Sequence, residues 1–434
     1  MYIFSCGWCC HHPTTMMNLS EVFKRSMKIP TSSNSQIYLF KLVSLLVLSL
    51  LCTNVFAQQE RDERAMIHNF KGLQFKSPDS SFYINFRFRM QNRIGAFTTS
   101  GSDLSFNEYD ARVRRLRMRV DGFIMNPKLT YSVQLAFTRG DQDVDNTGIA
   151  NIVRDAIIFY HFTPKFYMGF GQNKLPGNRQ RVNSSGQLQF ADRSIVNGAM
   201  TIDRDFGLKA YYHNKIAEMD FHLKAAISTG EGRSVNSTDD GLAYTGRVEF
   251  LPLGAFTGEG DYSEGDLERE PKPKISIGAG YSMNKKTNRT GGQLGKELYN
   301  AVDMATWMID GIGKYRGWAY SIEYIKRHVD APLTFNTSGS LMYAFTGNGI
   351  NHQASYIFPS NIEFAFRYSR LSPSAKIKTY EDKKNILELG ATKYLNKHRV
   401  KLQLNLNYMA TDGNYALRHP GNKWGILTQL ELGI

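Results

Sequence analysis

Apolar and polar residues alternate with a period of two along most of the chain. Phe82, Ile84, Phe86, Phe88 and Met90 fall on one face of an extended segment, and Tyr83, Asn85, Arg87, Arg89 and Gln91 fall on the other. Leu129, Tyr131, Val133, Leu135 and Phe137 are set against Thr130, Ser132, Gln134, Ala136 and Thr138 in the same way. Near the end, Val400, Leu402, Leu404, Leu406 and Tyr408 oppose Lys401, Gln403, Asn405 and Asn407. The last segment repeats the pattern from Trp424 to Ile434. Side chains of a strand point alternately to its two sides, so each segment predicts a strand with one apolar and one polar wall.

Strands are expected near 82–96, 109–124, 128–138, 152–162, 165–174, 204–213, 218–228, 242–251, 273–283, 299–312, 316–327, 348–357, 361–370, 385–394, 398–409 and 423–434. The connections alternate in length. Asn126-Pro127, Thr163-Pro164, Asn214-Lys215, Pro359-Ser360 and Asn396-Lys397 mark tight turns, while 97–108, 175–203, 283–298 and 328–347 are long loops. A long Gly-, Glu- and Pro-rich link at 252–272 stands where a short turn belongs. A soluble sandwich also alternates, but an even count of roughly ten-residue strands with long loops at one end predicts an all-β transmembrane antiparallel β-barrel. Such a barrel has about 16 strands, long extracellular loops, short periplasmic turns and an aqueous interior. Tyr83, Phe97, Tyr160, Tyr167, Trp318 and Trp424 are candidates for its interfacial girdles.

Composition narrows the class. With 42% hydrophobic and 12% aromatic residues the chain is not disordered. The uninterrupted apolar run between Ile37 and Ala57 is too solitary for a bundle of membrane helices. Cys6, Cys9, Cys10 and Cys52 all precede residue 53, so the remainder has no disulfide framework and suits an oxidising compartment. Lys28 and Lys41, the run Leu42–Leu51 and Val55-Phe56-Ala57 read as a cleavable secretory signal, with cleavage after Ala57. Leu50-Leu51 before Cys52 argue against a lipoprotein signal. Met27 is a plausible start, which would make residues 1–26 an extension, and the Cys6–His12 cluster then carries no metal role. The expected organisation is a leader at 1–57, a short periplasmic segment at 58–80 and the barrel at 81–434, exported to the outer membrane.

The formal net charge is +14, from 53 Lys and Arg against 39 Asp and Glu. The leader holds Lys24, Arg25, Lys28, Lys41 and Glu21, so +11 belongs to the exported part. Much of it has an address. In Arg112–Asp121, Leu116, Met118 and Val120 set the lipid face, which puts Arg115, Arg117, Arg119 and Asp121 toward the lumen. Arg87 and Arg89 have lumen parity on the preceding strand. If the two strands are neighbours, five guanidiniums line one wall, and such a file attracts anions. The alternative is a wall neutralised by carboxylates of opposite strands such as Glu323, Glu363 and Glu388. The loop at 175–203 and its flanks add Lys174, Arg179, Arg181, Arg193 and Arg204. Folded inward, that loop would narrow the lumen and bring these cations to the constriction. Left outside, it is a solvated surface loop.

Three stretches in this order resemble the phosphate-selective porins O and P: Asp110–Gly122, Gly171–Pro176 and Leu188–Ser194, with Gly246–Gly254 similar as well. The resemblance covers most of the chain after the leader and is strongest over 80–255. It implies a sixteen-stranded trimeric porin with inward-folded loops and an arginine ladder that conducts phosphate or other small anions. It also implies a homotrimer set in outer-membrane lipid and lipopolysaccharide.

Other classes fit less well. No phosphate-binding loop, dinucleotide fingerprint or nucleophile elbow follows the leader, and the histidines are scattered, so neither enzyme nor cofactor is expected. His222 and Ser228 make a forced catalytic pair. The basic residues alternate with apolar ones, which argues against a nucleic-acid partner. A nonspecific diffusion porin and a secreted polysaccharide-binding β-protein are the competing expectations.

Overall fold

The computed structural model describes residues 72–235 and 239–434. The leader, its cleavage site, the alternative start and the Cys6–His12 cluster lie outside the described residues. Sixteen strands form the barrel. They are β1 (Phe82–Phe97), β2 (Glu108–Ile124), β3 (Leu129–Ala136), β4 (Val153–His161), β5 (Phe166–Lys174), β6 (Arg204–Ile216), β7 (Met219–Ser228) and β8 (Ala243–Leu251). There follow β9 (Lys274–Arg289), β10 (Glu297–Tyr315), β11 (Trp318–Val329), β12 (Gly347–Ile357), β13 (Ile362–Pro373), β14 (Lys384–Asn396), β15 (Val400–Thr411) and β16 (Lys423–Gly433).

Each strand pairs antiparallel with the next, and β16 returns to β1 with Leu430 opposite Asn92 and Gly433 opposite Arg89. Beyond Arg89 the edge of β1 is taken up by a short strand, Leu73–Lys76, with Leu73 opposite Phe86 and Lys76 opposite Tyr83. Between the two, Ile434 N–H donates to the Phe88 carbonyl at 3.0 Å. Hydrocarbon offers backbone groups no water, so only a closed seam lets this sheet span a membrane.

The period-two pattern becomes the two walls. In β10, Trp307 and Ile309 point outward and are more than half exposed, whereas Met308 and Asp310 point inward and are buried. Ile94, Phe364 and Leu389 are likewise more than half exposed, as lipid-facing residues of a lone barrel must be. Outward rings meet at Tyr281–Trp307 (4.3 Å between centroids) and Trp318–Tyr356 (4.8 Å). Tyr83, Phe97 and Tyr167, expected in the girdles, instead face the lumen, Phe97 with the parity of Arg93 and opposite Gly425. Tyr83 shares the parity of Arg87 and Arg89, and Tyr167 pairs with His161 and Tyr211 on the inner face.

Two boundaries differ from expectation. The tight turn placed at Asn214-Lys215 lies at Ala217-Glu218, with Ile216 opposite Met219 and Ala217 at φ 53°. The loop expected at 283–298 shrinks to 290–296, because the polar ends of β9 and β10 keep pairing as far as Arg289 and Glu297. The ladder shifts register between Asn284 and Thr287. The long loop before β12 holds a small hairpin, Leu333–Phe335 with Leu341–Tyr343.

The core sits inside the barrel. The loop between β5 and β6 folds in as a turn at Arg179–Val182 and a helix at Ile195–Met200, whose Ser194 Oγ accepts from Asn197 N–H. Its Leu175, Val196, Met200 and Ile202 pack on Ala226, Met308, Ile325 and Leu371 of the walls. The link at 252–272 folds inward too, around Thr257–Tyr262, and meets this loop. Glu264 accepts from Gln180 Nε2 at 3.1 Å and from Gln189 N–H at 2.9 Å.

Candidate functional site

β1 and β2 are neighbours, and their register sets Arg87 opposite Arg119, Arg89 opposite Arg117 and Gln91 opposite Arg115. Like charges placed opposite each other across a ladder repel, so this wall needs anions from elsewhere. Asp121, one step along the same face, bridges Arg87 and Arg119, with Arg119 Nε 2.5 Å from Oδ1. Both arginines remain over a third exposed. Arg89 lies 3.2 Å from Glu431 and donates to Ser184 Oγ at 3.0 Å. Arg117 makes a two-bond pair with Asp141, at 2.6 and 2.7 Å, and donates to Ser185 Oγ at 2.8 Å. Arg115 is buried and donates to Gln91 Oε1 (2.7 Å), the Ala191 carbonyl (3.3 Å) and Asp192 (3.3 Å). The inward loop thus covers the middle of the ladder and leaves its Arg87–Arg119 end open.

The cations of the inward loop and its flanks are partly spent on holding it. Lys174 donates to the Val182 and Asn183 carbonyls. Arg193 donates to the Gln180 and Asn183 carbonyls. Arg179 crosses to the far wall, where it meets Asp310 and Ser276 Oγ. Arg181 pairs with Asp203, and Arg204 pairs with Asp155 at 2.8 Å and with Asp203 at 3.4 Å. Burial alone would raise the Asp203 carboxyl, but Arg181 and Arg204 outweigh it and hold it well below its usual range.

Glu323, Glu363 and Glu388 leave the ladder alone. Glu323 accepts from Asn178 and from Gln180 N–H, Glu363 from Tyr394 and Gln189, and Glu388 pairs with Arg367. The counter-anions come from other places, and several are shared among cations. Asp141 meets Arg117 and Arg154, Glu431 meets Arg89 and Lys401, and Asp192 meets Arg93, Arg114 and Arg115. Arg327 is buried on Thr306 Oγ1 and the carbonyls of Ala199 and Thr201. Arg93 was within reach of sequence reasoning, since it continues the parity of Arg87, Arg89 and Gln91. Lys401 has lumen parity in its segment and Arg327 shares the parity of Glu323, but only the closed topology brings them to the inward loop. Arg154, which meets Asp141 in the loop after β3, carries no comparable signal.

A closed sixteen-strand barrel with a polar, loop-narrowed interior can pass small hydrated solutes across a membrane. Known proteins agree with that geometry. A relative from Aquifex aeolicus (strain VF5), described as an uncharacterized protein, is 24% identical over 378 residues, covering 75% of this chain and 82% of its own. The structure of Salmonella typhi OmpF in complex with daunomycin superposes with a TM-score of 0.51 at 13% identity, covering 83% of this chain and all of that one. The anion-selective porin from Comamonas acidovorans gives 0.51 at 12% identity, covering 81% and 100%. At these identities the likeness is one of fold. The model of the family described as phosphate-selective porin O and P matches residues 84–431. This outer-membrane channel belongs to the phosphate-selective porin O and P family.

Proposed function

We propose that the channel prefers anions and passes phosphate or other small anions by diffusion. The supporting observation is the sharing of carboxylates along the wall of β1, β2 and the inward loop. Asp121 serves two arginines, Asp141 two and Asp192 three, and Asp110 is shared by Arg93 and Arg112, so arginines outnumber carboxylates on that side of the lumen. In a narrow aqueous pore such an excess draws anions in and turns cations back. The guanidinium forks of Arg87 and Arg119 replace part of an anion's hydration, each weakly enough to release it. A barrel of the same fold is described as an anion-selective porin in Comamonas acidovorans, which is compatible with this reading. Assembly as a homotrimer in lipid and lipopolysaccharide is part of the proposal.

The test is the zero-current potential of the purified channel across a KCl gradient, followed by titration with phosphate. Chloride preference with phosphate block supports a phosphate pathway. Chloride preference without block restricts the function to small anions in general. The molecular mass in detergent tests the trimer.

A further inference from the structure

A row of aromatic side chains lines the lumen on the short-turn side of Arg87 and Arg119. Tyr83 faces Phe123 with ring centroids 5.9 Å apart, and Phe123 pairs through Thr130 with Phe159. Tyr167 stacks on Tyr211 at 4.7 Å and 10°, and His161 stacks on Tyr167 at 4.8 Å. Phe159 stands edge-on to both tyrosines, at 5.9 and 6.2 Å.

These rings are on the wrong side of the barrel for a lipid girdle, and they are half-buried, so water reaches them. None belongs to the apolar clusters that hold the inward loop. Space is kept for them: a Cβ on Gly169 would lie 2.7 Å from Phe159 Cδ1, so only glycine there lets that ring lie across β5. Tyr167 is covered on both faces by His161 and Tyr211, so the row offers ring edges with a few polar groups beside them, a surface that recognises other rings edge-to-face. Here His161 supplies a polar edge beside Thr130 Oγ1, at 3.2 Å. Four residues, or about 14 Å along a strand, separate Tyr83 and Phe123, the near end of this row, from the Arg87–Arg119 pair on β1 and β2. The row continues across β4, β5 and β6 as a second station farther toward the short turns.

We propose that the lumen holds a station for ring-bearing organic anions, phosphates or carboxylates. Their charged group is drawn in by Arg87 and Arg119, and their ring then lies against Phe159, Tyr167 and Tyr211. This rests on the anion-preferring reading above and specifies the substrate class of the same channel.

The experiment compares inorganic phosphate, phenyl phosphate and glucose 1-phosphate as blockers of KCl current through the full-length barrel in planar membranes. Phenyl phosphate is expected to half-block at a concentration about tenfold lower than inorganic phosphate, the order of gain that a close aromatic contact supplies. Phe159→Ala with Tyr211→Ala closes that gap while leaving block by inorganic phosphate and the reversal potential as they were. Tyr167→Phe, which keeps the ring, preserves it. Heat-modifiable migration on gels confirms that each variant is folded.

If glucose 1-phosphate shares the gain, the wall accepts saturated rings as well. If it does not, the wall serves aromatic anions. Equal half-blocking concentrations for phosphate and phenyl phosphate overturn the proposal, and so does a gap that survives the double alanine variant. The reversal potential read in the same membranes separates a cation-selective channel, which overturns the underlying anion reading, from an anion channel indifferent to the ring.

Discussion

Arg179 Nε lies 2.6 Å from Asp310 Oδ1, joining the inward loop to the far wall with both side chains at 5% exposure or less. Asp310 also takes both guanidinium nitrogens of Arg247, at 2.6 and 2.9 Å. Removing one member of a buried ion pair costs more than the pair contributes, because the partner is left charged and dry. Asp310→Asn should therefore destabilise the barrel by about 3 kcal/mol and loosen the loop. The check is the temperature of the heat-modifiable shift on gels, together with single-channel noise. A lower transition and a noisier current are expected.

Arg87 and Arg119 offer the most direct test of selectivity, because both are over a third exposed and share one carboxylate. Arg87→Ala with Arg119→Ala should lower the chloride-to-potassium permeability ratio several-fold and leave the fold intact. Arg117→Ala would be a poorer choice for this purpose, since it strips Asp141 of its two-bond partner and leaves Arg154 at 3.4 Å. For that variant a fall in the unfolding temperature should accompany any change in selectivity.

Gly186 of the inward loop lies tight against the ladder. A Cβ there would lie 2.4 Å from Arg89 Cζ and 2.6 Å from Glu431 Oε1. Gly186→Ala should push Arg89 away from Glu431 toward the open lumen and reduce single-channel conductance without unfolding the barrel. Unaltered conductance would mean that current does not pass this point.

Glu231, in the loop between β7 and β8, is buried, and burial together with Asp239 and Asp205 pushes its carboxyl up to about 7 from 4.5. The folded protein therefore keeps this proton after the unfolded chain has released it. The contribution is fully present below pH 4.5 and is lost as pH rises toward 7. With some water reaching the loop, the loss is on the order of 2 kcal/mol. Glu231→Gln should remove that part of the pH dependence, read as the difference in denaturation midpoint between pH 4.5 and pH 7. Parallel pH profiles for parent and variant would exclude the effect.

The strands were legible because one face of each meets lipid, which enforces apolar residues at every second position from Phe82 to Met90 and from Val400 to Tyr408. Parity then placed Arg87, Arg89, Arg115, Arg117 and Arg119 on the inner wall, and the register of β1 with β2 brings them together. What neutralises them was less legible. Asp192 and Glu431 lie far along the chain, Asp141 lies one strand on, and all three reach the ladder only through loop folding and barrel closure. The inward course of the loop did leave a trace: Leu188, Phe190, Val196, Met200 and Ile202 are too apolar for a loop facing solvent, and all are buried. Tyr83, Phe97 and Tyr167 differ from expectation because an aromatic near a strand end suggests a girdle, whereas parity decides which side of the wall it occupies.

The central claim is that the shared carboxylates leave a net positive field along the solute path. The zero-current potential of the wild-type channel in a planar membrane, with KCl more concentrated on one side, measures that field directly. A potential of the sign set by chloride, shifting toward zero in Arg87→Ala with Arg119→Ala, is the predicted result. A potential of the sign set by potassium would contradict it.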